Sequence, residues 1–256
     1  MLVVDEVIRR FGGLVAVGVD HLEIPRNSIT ALIGPNGAGK TTLFNVLTGF
    51  DRADEGRWVF DGTEVSGWPA YRIARRGMVR TFQLTKALAG LTVFDNMLLG
   101  ASGQTGERMS AAWLRFLWRA QERAIRERAR ELLQDFGLYD KRHDYAATLS
   151  GGQRKLLEMA RALMVEPKLV MLDEPMAGIN PALVQSLLDH IRRVRDEGRT
   201  ILYVEHDMDV VMSISDRVVC LAEGRVIANG TPHEVANDPN VIEAYLGQRH
   251  ARPASR

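Results

Sequence analysis

The sequence predicts an α/β fold with a mixed, mainly parallel sheet, flanking helices and an added antiparallel layer. Two apolar runs, at residues 169–172 and 201–204, are separated by a helical stretch at 181–197. Strands buried on both faces have this composition, and a helix between them makes the crossover that parallel strands require. A third apolar run, at 28–33, leads into a glycine-rich turn and a helix at 41–48.

The antiparallel layer is predicted from short strands near the start of the chain. Residues 2–8, 15–24, 57–60 and 63–65 have strand composition. Asp61-Gly62 lies between the last two and is a dipeptide favoured in tight hairpins. A further hairpin is predicted at Glu223-Gly224, and a short helix at 241–246.

Residues 93–164 change to a helical period and predict an inserted helical subdomain. Apolar side chains recur there at steps of three and four residues, at Leu114, Leu117, Trp118, Ile125, Ala129, Leu132, Leu133 and Phe136. The polar face mixes Arg with Glu, which is typical of a solvated helix with i,i+4 ion pairs; a docking surface is the alternative. Residues 113–118, W-L-R-F-L-W, form either a docking site or core.

These patterns divide one predicted domain, 1–256, into three parts. A catalytic core with the antiparallel layer takes 1–92 and 165–230, the helical subdomain takes 93–164, and a C-terminal helix and tail take 231–256.

Composition excludes several classes of protein. Lys plus Arg number 33 and Asp plus Glu number 32, a net charge of +1, so no nucleic-acid partner is expected. The single cysteine, Cys220, lies in an apolar run, which predicts a buried, inert thiol and no internal disulfide. The N-terminus has no apolar leader segment, and no run approaches the roughly 20 apolar residues of a membrane span. We expect a cytosolic protein, or one held at a membrane by partners.

Residues 34–42, the phosphate loop, match the pattern G-x-x-x-x-G-K-[ST] between an apolar strand and a helix. Glycines let backbone N–H groups surround phosphate oxygens, and the helix N-terminus adds a positive potential. Lys40 supplies charge to the terminal phosphates and the Thr41 hydroxyl a ligand for Mg²⁺. The predicted cofactors are therefore ATP and Mg²⁺. The predicted nucleotide-binding residues of the loop are Gly34, Pro35, Asn36, Gly37, Ala38, Gly39, Lys40, Thr41 and Thr42.

Two carboxylates follow the apolar run at 169–172. Asp173 is predicted to contact Mg²⁺, and Glu174 to orient and deprotonate the attacking water. The alternative is a solvated pair of acids at the end of a strand.

Residues 149–153, L-S-G-G-Q, are the signature segment and open a helix that runs to about residue 164. Ser150 and Gln153 have the spacing of a capping box. Gly151 and Gly152 in the first turn are costly for a helix, which favours a second anion site.

With the signature segment and the order of these motifs, the sequence resembles ATP-binding cassette (ABC) ATPases along essentially its whole length. The resemblance implies that Phe11 stacks on adenine, with a core position as the alternative. It implies that Gln83 contacts Mg²⁺ and water, and that His206 contacts the γ-phosphate. Residues 178–180 occupy the D-loop, where Asn180 replaces the Asp of many relatives. Two chains would pair head to tail, so that Ser150, Gly151, Gly152 and Gln153 of one bind the γ-phosphate held by the other.

Residues 174–181, 204–208 and 229–247 are similar to ATP-binding subunits of bacterial branched-chain amino acid importers. This narrower resemblance implies integral-membrane permease subunits, a second ATPase chain (homodimer or paralogous heterodimer), indirectly a solute-binding protein, and a location at the cytoplasmic side of the inner membrane. Urea and amide importers and the lipopolysaccharide exporter have similar ATPases. A soluble ABC ATPase of a cytosolic assembly system and a regulator with negligible turnover are further alternatives.

Overall fold

A computed structural model describes residues 1–81, 89–101 and 115–250. Gln83 and Leu114 lie outside these ranges. For Leu117 and Trp118 only the backbone is described. The chain divides into two compact units: the first is Met1–Arg80, Lys168–Met176 and Ile191–Arg256, and the second is Thr81–Pro167 and Ala177–His190. In the described ranges, each helix is too short or too polar to cross a bilayer.

The first unit contains the strands of both sheets. They are β1 (Leu2–Phe11), β2 (Leu14–Ile24), β3 (Ile29–Ile33), β4 (Glu55–Phe60), β5 (Thr63–Glu64), β6 (Met78–Arg80), β7 (Leu169–Asp173), β8 (Thr200–Val204), β9 (Arg217–Ala222) and β10 (Arg225–Gly230). In the described ranges, β2-β1-β4-β5 form an antiparallel sheet, and β10-β9-β3-β8-β7-β6 form a mixed sheet. The predicted hairpins at Asp61-Gly62 and Glu223-Gly224 are confirmed as the turns β4-β5 and β9-β10.

Parallel pairing brings the carboxyl ends of three strands to one edge of the mixed sheet. Strand β8 lies between β3 and β7 and is parallel to both, with Leu32 and Asp173 each opposite Val204. Every residue of these three strands is buried, which explains their nearly continuous apolar composition. The predicted parallel sheet is therefore confirmed, and the loops that follow the three strands start side by side.

Helices α1 (Lys40–Leu47), α2 (Ala70–Arg76), α7 (Met208–Ile214), α8 (Pro232–Ala236) and α9 (Pro239–His250) also belong to the first unit. Helix α1 contributes Phe44 and Leu47 to a core that contains Trp58 of the antiparallel sheet and Leu32 of the mixed sheet. Each such apolar side chain, when fully buried, contributes about 1.5–3 kcal/mol to the stability of the folded protein. This shared core fixes α1, and with it the preceding loop, against both sheets.

The second unit is built from helices α3 (Val93–Gly100), α4 (Arg115–Asp135), α5 (Gly151–Leu163) and the first part of α6 (Pro181–Asp196). It also includes residues outside the expected 93–164 segment, at 81–92, 165–167 and 177–190. Of the apolar positions predicted on α4, Ala129, Leu132 and Leu133 are buried, as is Phe136 just after it, whereas Ile125 is only partly buried. Its polar face carries the local ion pairs Glu122–Arg126, Glu127–Arg130 and Arg128–Glu131, as a solvated helix face does.

Candidate nucleotide-binding site

The phosphate loop joins β3 to α1 by a path that two glycines make possible. A Cβ on Gly34 would lie 2.1 Å from the carbonyl oxygen of Leu221, and one on Gly39 would lie 2.2 Å from that of Ala16. Both glycines also have positive φ angles, 145° and 96°. Gly37 differs, because a Cβ there would meet no atom within 4 Å. The loop is thus closely packed at both ends and open in its middle.

Lys40 is the first residue of α1, and its side chain reaches back to the start of the loop. Its Nζ donates hydrogen bonds to the carbonyl oxygens of Gly34 at 2.6 Å and Pro35 at 2.9 Å. Burial lowers the pKa of Lys40, and the nearby Glu174 carboxylate opposes that effect. The N-cap residue of α1 is Gly39, which has no side chain to cap the first turn. Backbone N–H groups and an ammonium therefore converge there, an arrangement suited to phosphate.

A cleft of about 870 Å³ opens over the loop within the first unit. This volume is ample for a small-molecule ligand. Its walls include Glu174 and Thr41, and also side chains that were not predicted as site residues from the sequence. The lining residues are Leu14, Val15, Ala16, Asn36, Gly37, Ala38, Gly39, Lys40, Thr41, Thr42, Glu174, Glu223 and Arg225.

Phe11 ends β1, three residues before Leu14, which lines the cleft. The residue is 50% exposed, so the core alternative for Phe11 is wrong. The Arg9 guanidinium lies 4.5 Å from the ring centroid, within the range of a cation–π contact. The half-exposed ring of Phe11 is therefore accessible for stacking.

Asp173 and Glu174 have different environments although they are adjacent. The Asp173 side chain is buried at the end of β7, and its Oδ2 accepts a hydrogen bond from Arg80 Nη2 at 2.6 Å. A solvated acid pair is therefore the wrong interpretation of this position. Glu174 has a φ of 46°, a strained left-handed conformation for a residue other than glycine. That conformation lets the chain turn immediately after the strand, with Glu174 lining the cleft.

His206 follows β8, and its side chain is 64% exposed. The neighbouring Glu205, which the sequence analysis did not select, is only 1% exposed. Its Oε1 accepts from the Met176 N–H at 3.0 Å and its Oε2 from the His206 N–H at 3.2 Å. Glu205 therefore connects the loop that carries Glu174 with the loop that carries His206.

The signature segment lies in the second unit and begins α5. The capping box is present in full: Ser150 Oγ accepts from the Gln153 N–H at 3.2 Å, and Gln153 Oε1 accepts from the Ser150 N–H at 3.0 Å. A Cβ on Gly152 would lie 2.7 Å from Leu183 Cδ1, so α5 packs closely against α6 at this glycine. Gly151 is exposed, and its nearest contact would be 3.6 Å away. Packing therefore accounts for only one of the two glycines.

The donor set of the first unit fits a magnesium–nucleotide complex. Thr41 lines the cleft and Asp173 ends β7, whereas Gln83, the third predicted metal ligand, lies outside the described residues. No cluster of three or more His, Cys, Asp or Glu side chains that could hold an ion exists in the described ranges. A Mg²⁺ ion would thus take most of its ligands from phosphate and water, as this ion commonly does.

Two family profiles match the chain. The ABC transporter family profile matches residues 19–177, and that of the branched-chain amino acid ATP-binding cassette transporters matches 225–251. The chain is 40% identical over 250 residues to the high-affinity branched-chain amino acid transport ATP-binding protein BraF of Pseudomonas aeruginosa, covering 97% of this chain and 98% of that protein. It is 41% identical over 251 residues to the corresponding protein LivG of Escherichia coli K12, with the same coverage.

Solved structures of ATP-binding cassettes also match the chain. A nucleotide-free ATP-binding cassette from an ABC transporter matches with a TM-score of 0.83 and 35% identity over 96% of this chain and 98% of that one. The ADP conformation of such a cassette matches with a TM-score of 0.84 at the same identity and coverage. From the family profile, the relatives and the fold together, the chain belongs to the ABC transporter family, as one of its ATP-binding and ATP-hydrolysing subunits.

Proposed function

We propose that this chain drives the import of branched-chain amino acids by hydrolysing ATP on the cytoplasmic side of the inner membrane. The observation that carries the proposal is the match of residues 225–251 to the branched-chain amino acid transporter profile, in addition to the ABC match at 19–177. Relatives named for transport of these amino acids align with 97% of the chain at 40–41% identity, which supports the same solute class.

In the proposed reaction, the phosphate loop holds the β- and γ-phosphates, with Lys40 supplying positive charge. Thr41 and Asp173 would hold Mg²⁺, which would neutralise the charge that develops on the phosphates as ADP leaves. Glu174 accepts a proton from the attacking water, and His206 donates a hydrogen bond to a γ-phosphate oxygen. Gln83 is proposed to contact the metal and its water. The cleft position of Glu174 supports its role, because its carboxylate lies beside the loop that holds the phosphates.

Two chains are proposed to close over ATP. Ser150, Gly151, Gly152 and Gln153 of one chain would bind the γ-phosphate held by the phosphate loop of the other. The exposure of Ser150 and Gly151 supports this role, since both residues are accessible at the N-terminus of α5. Asn180 in the D-loop would contact the partner with an amide where many relatives have a carboxylate. Phe11 would stack on the adenine.

Closure and reopening of this dimer would move attached permease subunits. The proposed partners are integral-membrane permeases, a second ATPase chain, either identical or paralogous, and indirectly a solute-binding protein. Peripheral attachment through the permeases would place the chain at the membrane. A balanced charge gives no support to a nucleic-acid partner.

The test begins with purification of the tagged chain from gently solubilised membranes of its host. We expect permeases, a second ATPase chain and a solute-binding protein to be identified by mass spectrometry. The complex is then reconstituted in liposomes, and uptake of labelled leucine, isoleucine and valine is compared with that of urea. The matched control is the same complex with Lys40→Ala, which should not transport.

Uptake of urea but not of leucine would contradict the proposed solute while leaving transport intact. Recovery of the chain in the soluble fraction with a cytosolic assembly would contradict transport itself.

A further inference from the structure

Arg80 makes a buried ion pair with Asp173, the residue proposed to contact Mg²⁺. Its Nη2 lies 2.6 Å from Asp173 Oδ2, and the two side chains are 9% and 6% exposed. The pair joins the ends of adjacent parallel strands, since Arg80 ends β6 and Asp173 ends β7. Hydrogen bonds between two charged groups are stronger than neutral ones, and low exposure protects them from screening.

The same guanidinium also binds helix α1. Arg80 Nη1 donates to Asn45 Oδ1 at 2.6 Å, and the Arg80 Cζ lies 5.5 Å from the centroid of the Phe44 ring. Both residues belong to the helix whose first two residues are Lys40 and Thr41. The Arg80 side chain is thus held on one side by α1 and on the other by β7.

This bridge connects the two elements that carry the described metal ligands. Thr41 lies on α1 and Asp173 lies on β7, and these two elements are far apart in the sequence. The planar guanidinium of an arginine presents several N–H donors at fixed angles, whereas the donors of a lysine ammonium rotate at the end of a flexible stem. A guanidinium fixed between Asn45 and Asp173 therefore sets both the distance between α1 and the Asp173 carboxylate and the rotamer of that carboxylate.

We propose that Arg80 is a positioning residue for magnesium binding, which holds Asp173 by Oδ2 and leaves Oδ1 to face the metal and its water shell. The alternative is that Arg80 competes with the metal, in which case its ion pair with Asp173 must break before the ion binds. The contacts with Asn45 and Phe44 favour positioning, because they hold the guanidinium in place independently of Asp173. The proposal concerns the hydrolytic site alone and does not depend on the transported solute.

The test measures binding of Mn²⁺, a spectroscopic substitute for Mg²⁺, to the full chain saturated with ADP. Electron paramagnetic resonance gives the free Mn²⁺ concentration, and a parallel titration gives the affinity for ADP without metal. We expect Arg80→Met to weaken Mn²⁺ binding about 10-fold while leaving metal-free ADP binding within about twofold. Asn45→Ala should weaken Mn²⁺ binding by about threefold, because it removes one arm of the bridge.

Two further variants keep the result interpretable. Arg195→Met removes another arginine of the first unit, which pairs with Asp216 on the surface, and should leave Mn²⁺ affinity unchanged. Arg80→Lys keeps the charge without the planar guanidinium and should recover part of the lost affinity. It also serves as the test if Arg80→Met does not fold.

Unchanged Mn²⁺ affinity in Arg80→Met, or in Arg80→Lys if that is the variant that folds, would overturn the proposal. Tighter Mn²⁺ binding in the same variant would overturn it in favour of competition.

Discussion

The Tyr245 hydroxyl accepts a hydrogen bond from the backbone N–H of Gly34 at 2.9 Å. Tyr245 lies on α9, in the segment that matches the branched-chain amino acid transporter profile, and Gly34 starts the phosphate loop. Burial raises the pKa of Tyr245 to about 12, so the group stays a neutral phenol at physiological pH. Helix α9 thus stabilises the start of the phosphate loop through a residue that does not line the cleft.

Replacing Tyr245 with Phe should weaken this support. The Gly34 N–H loses its acceptor, which should lower the free energy of unfolding by about 1 kcal/mol and weaken ADP binding several-fold. Chemical denaturation and titration with a fluorescent ADP measure the two effects. Tyr71→Phe is the matched control, because Tyr71 is largely exposed. Equal behaviour of the two variants would show that the hydroxyl contact does not stabilise the loop.

Replacing Glu205 with Ala should destabilise the first unit. Both carboxylate oxygens accept backbone hydrogen bonds, and the change leaves the Met176 N–H without an acceptor in a buried place. We expect a loss of about 2–3 kcal/mol in the free energy of unfolding, measured by denaturant titration. Asp207→Ala removes an exposed helix cap nearby and should cost about 1 kcal/mol. A loss for Glu205→Ala no larger than the cap's would contradict the connecting role of Glu205.

Asp61 should give a stability contribution that disappears in acid. Hydrogen bonds from Lys168 and then Arg26 lower its pKa to about 2, from an ordinary value of 3.8. A lowered folded-state pKa stabilises the protein above the unfolded value, and that contribution is lost as the pH falls from about 4 to about 2. Asp61→Asn should therefore be less stable than the parent at pH 7, by less than about 1 kcal/mol, and should approach the stability of the parent as the pH falls below about 2. A constant difference across this range would rule out the ion pairs as its cause.

Cys220 should be unreactive in the folded protein. The residue is completely buried in β9, and burial raises the pKa of its thiol to about 11. Because the thiolate is the reacting form, alkylation by iodoacetamide at pH 8 should be very slow until the chain is unfolded in guanidinium. Mass spectrometry of the intact protein follows the modification. Rapid labelling without denaturant would mean that β9 opens readily.

The strands that carry the site could be predicted because their environment is uniform along their length. Residues 169–172 and 201–204 are buried on both sides of the sheet, so composition alone identifies them. The phosphate loop is equally predictable, because Gly34 and Gly39 have positive φ angles, a local requirement that favours glycine. Helix α8 was not predicted, since its five residues are too few to show a helical period.

The residues that support the site could not be predicted because their partners are distant in sequence. Arg80 and Asp173 are 93 residues apart, and Gly34 and Tyr245 are 211 apart. Before the fold is known, Arg80 is one of many arginines and Glu205 is one more acid beside a histidine. Gly152 shows the reverse case, because its contact with Leu183 gives a packing reason for a residue first assigned to ligand binding.

The central claim is that Glu174 activates water for ATP hydrolysis at the phosphate loop. The most direct test compares phosphate release and ATP binding by the parent, Glu174→Gln and Lys40→Ala proteins. We predict that Glu174→Gln binds ATP as tightly as the parent and releases phosphate at least about 100-fold more slowly. Lys40→Ala should instead bind ATP poorly. Phosphate release by Glu174→Gln at the parent's rate would contradict the assignment of Glu174 as the base.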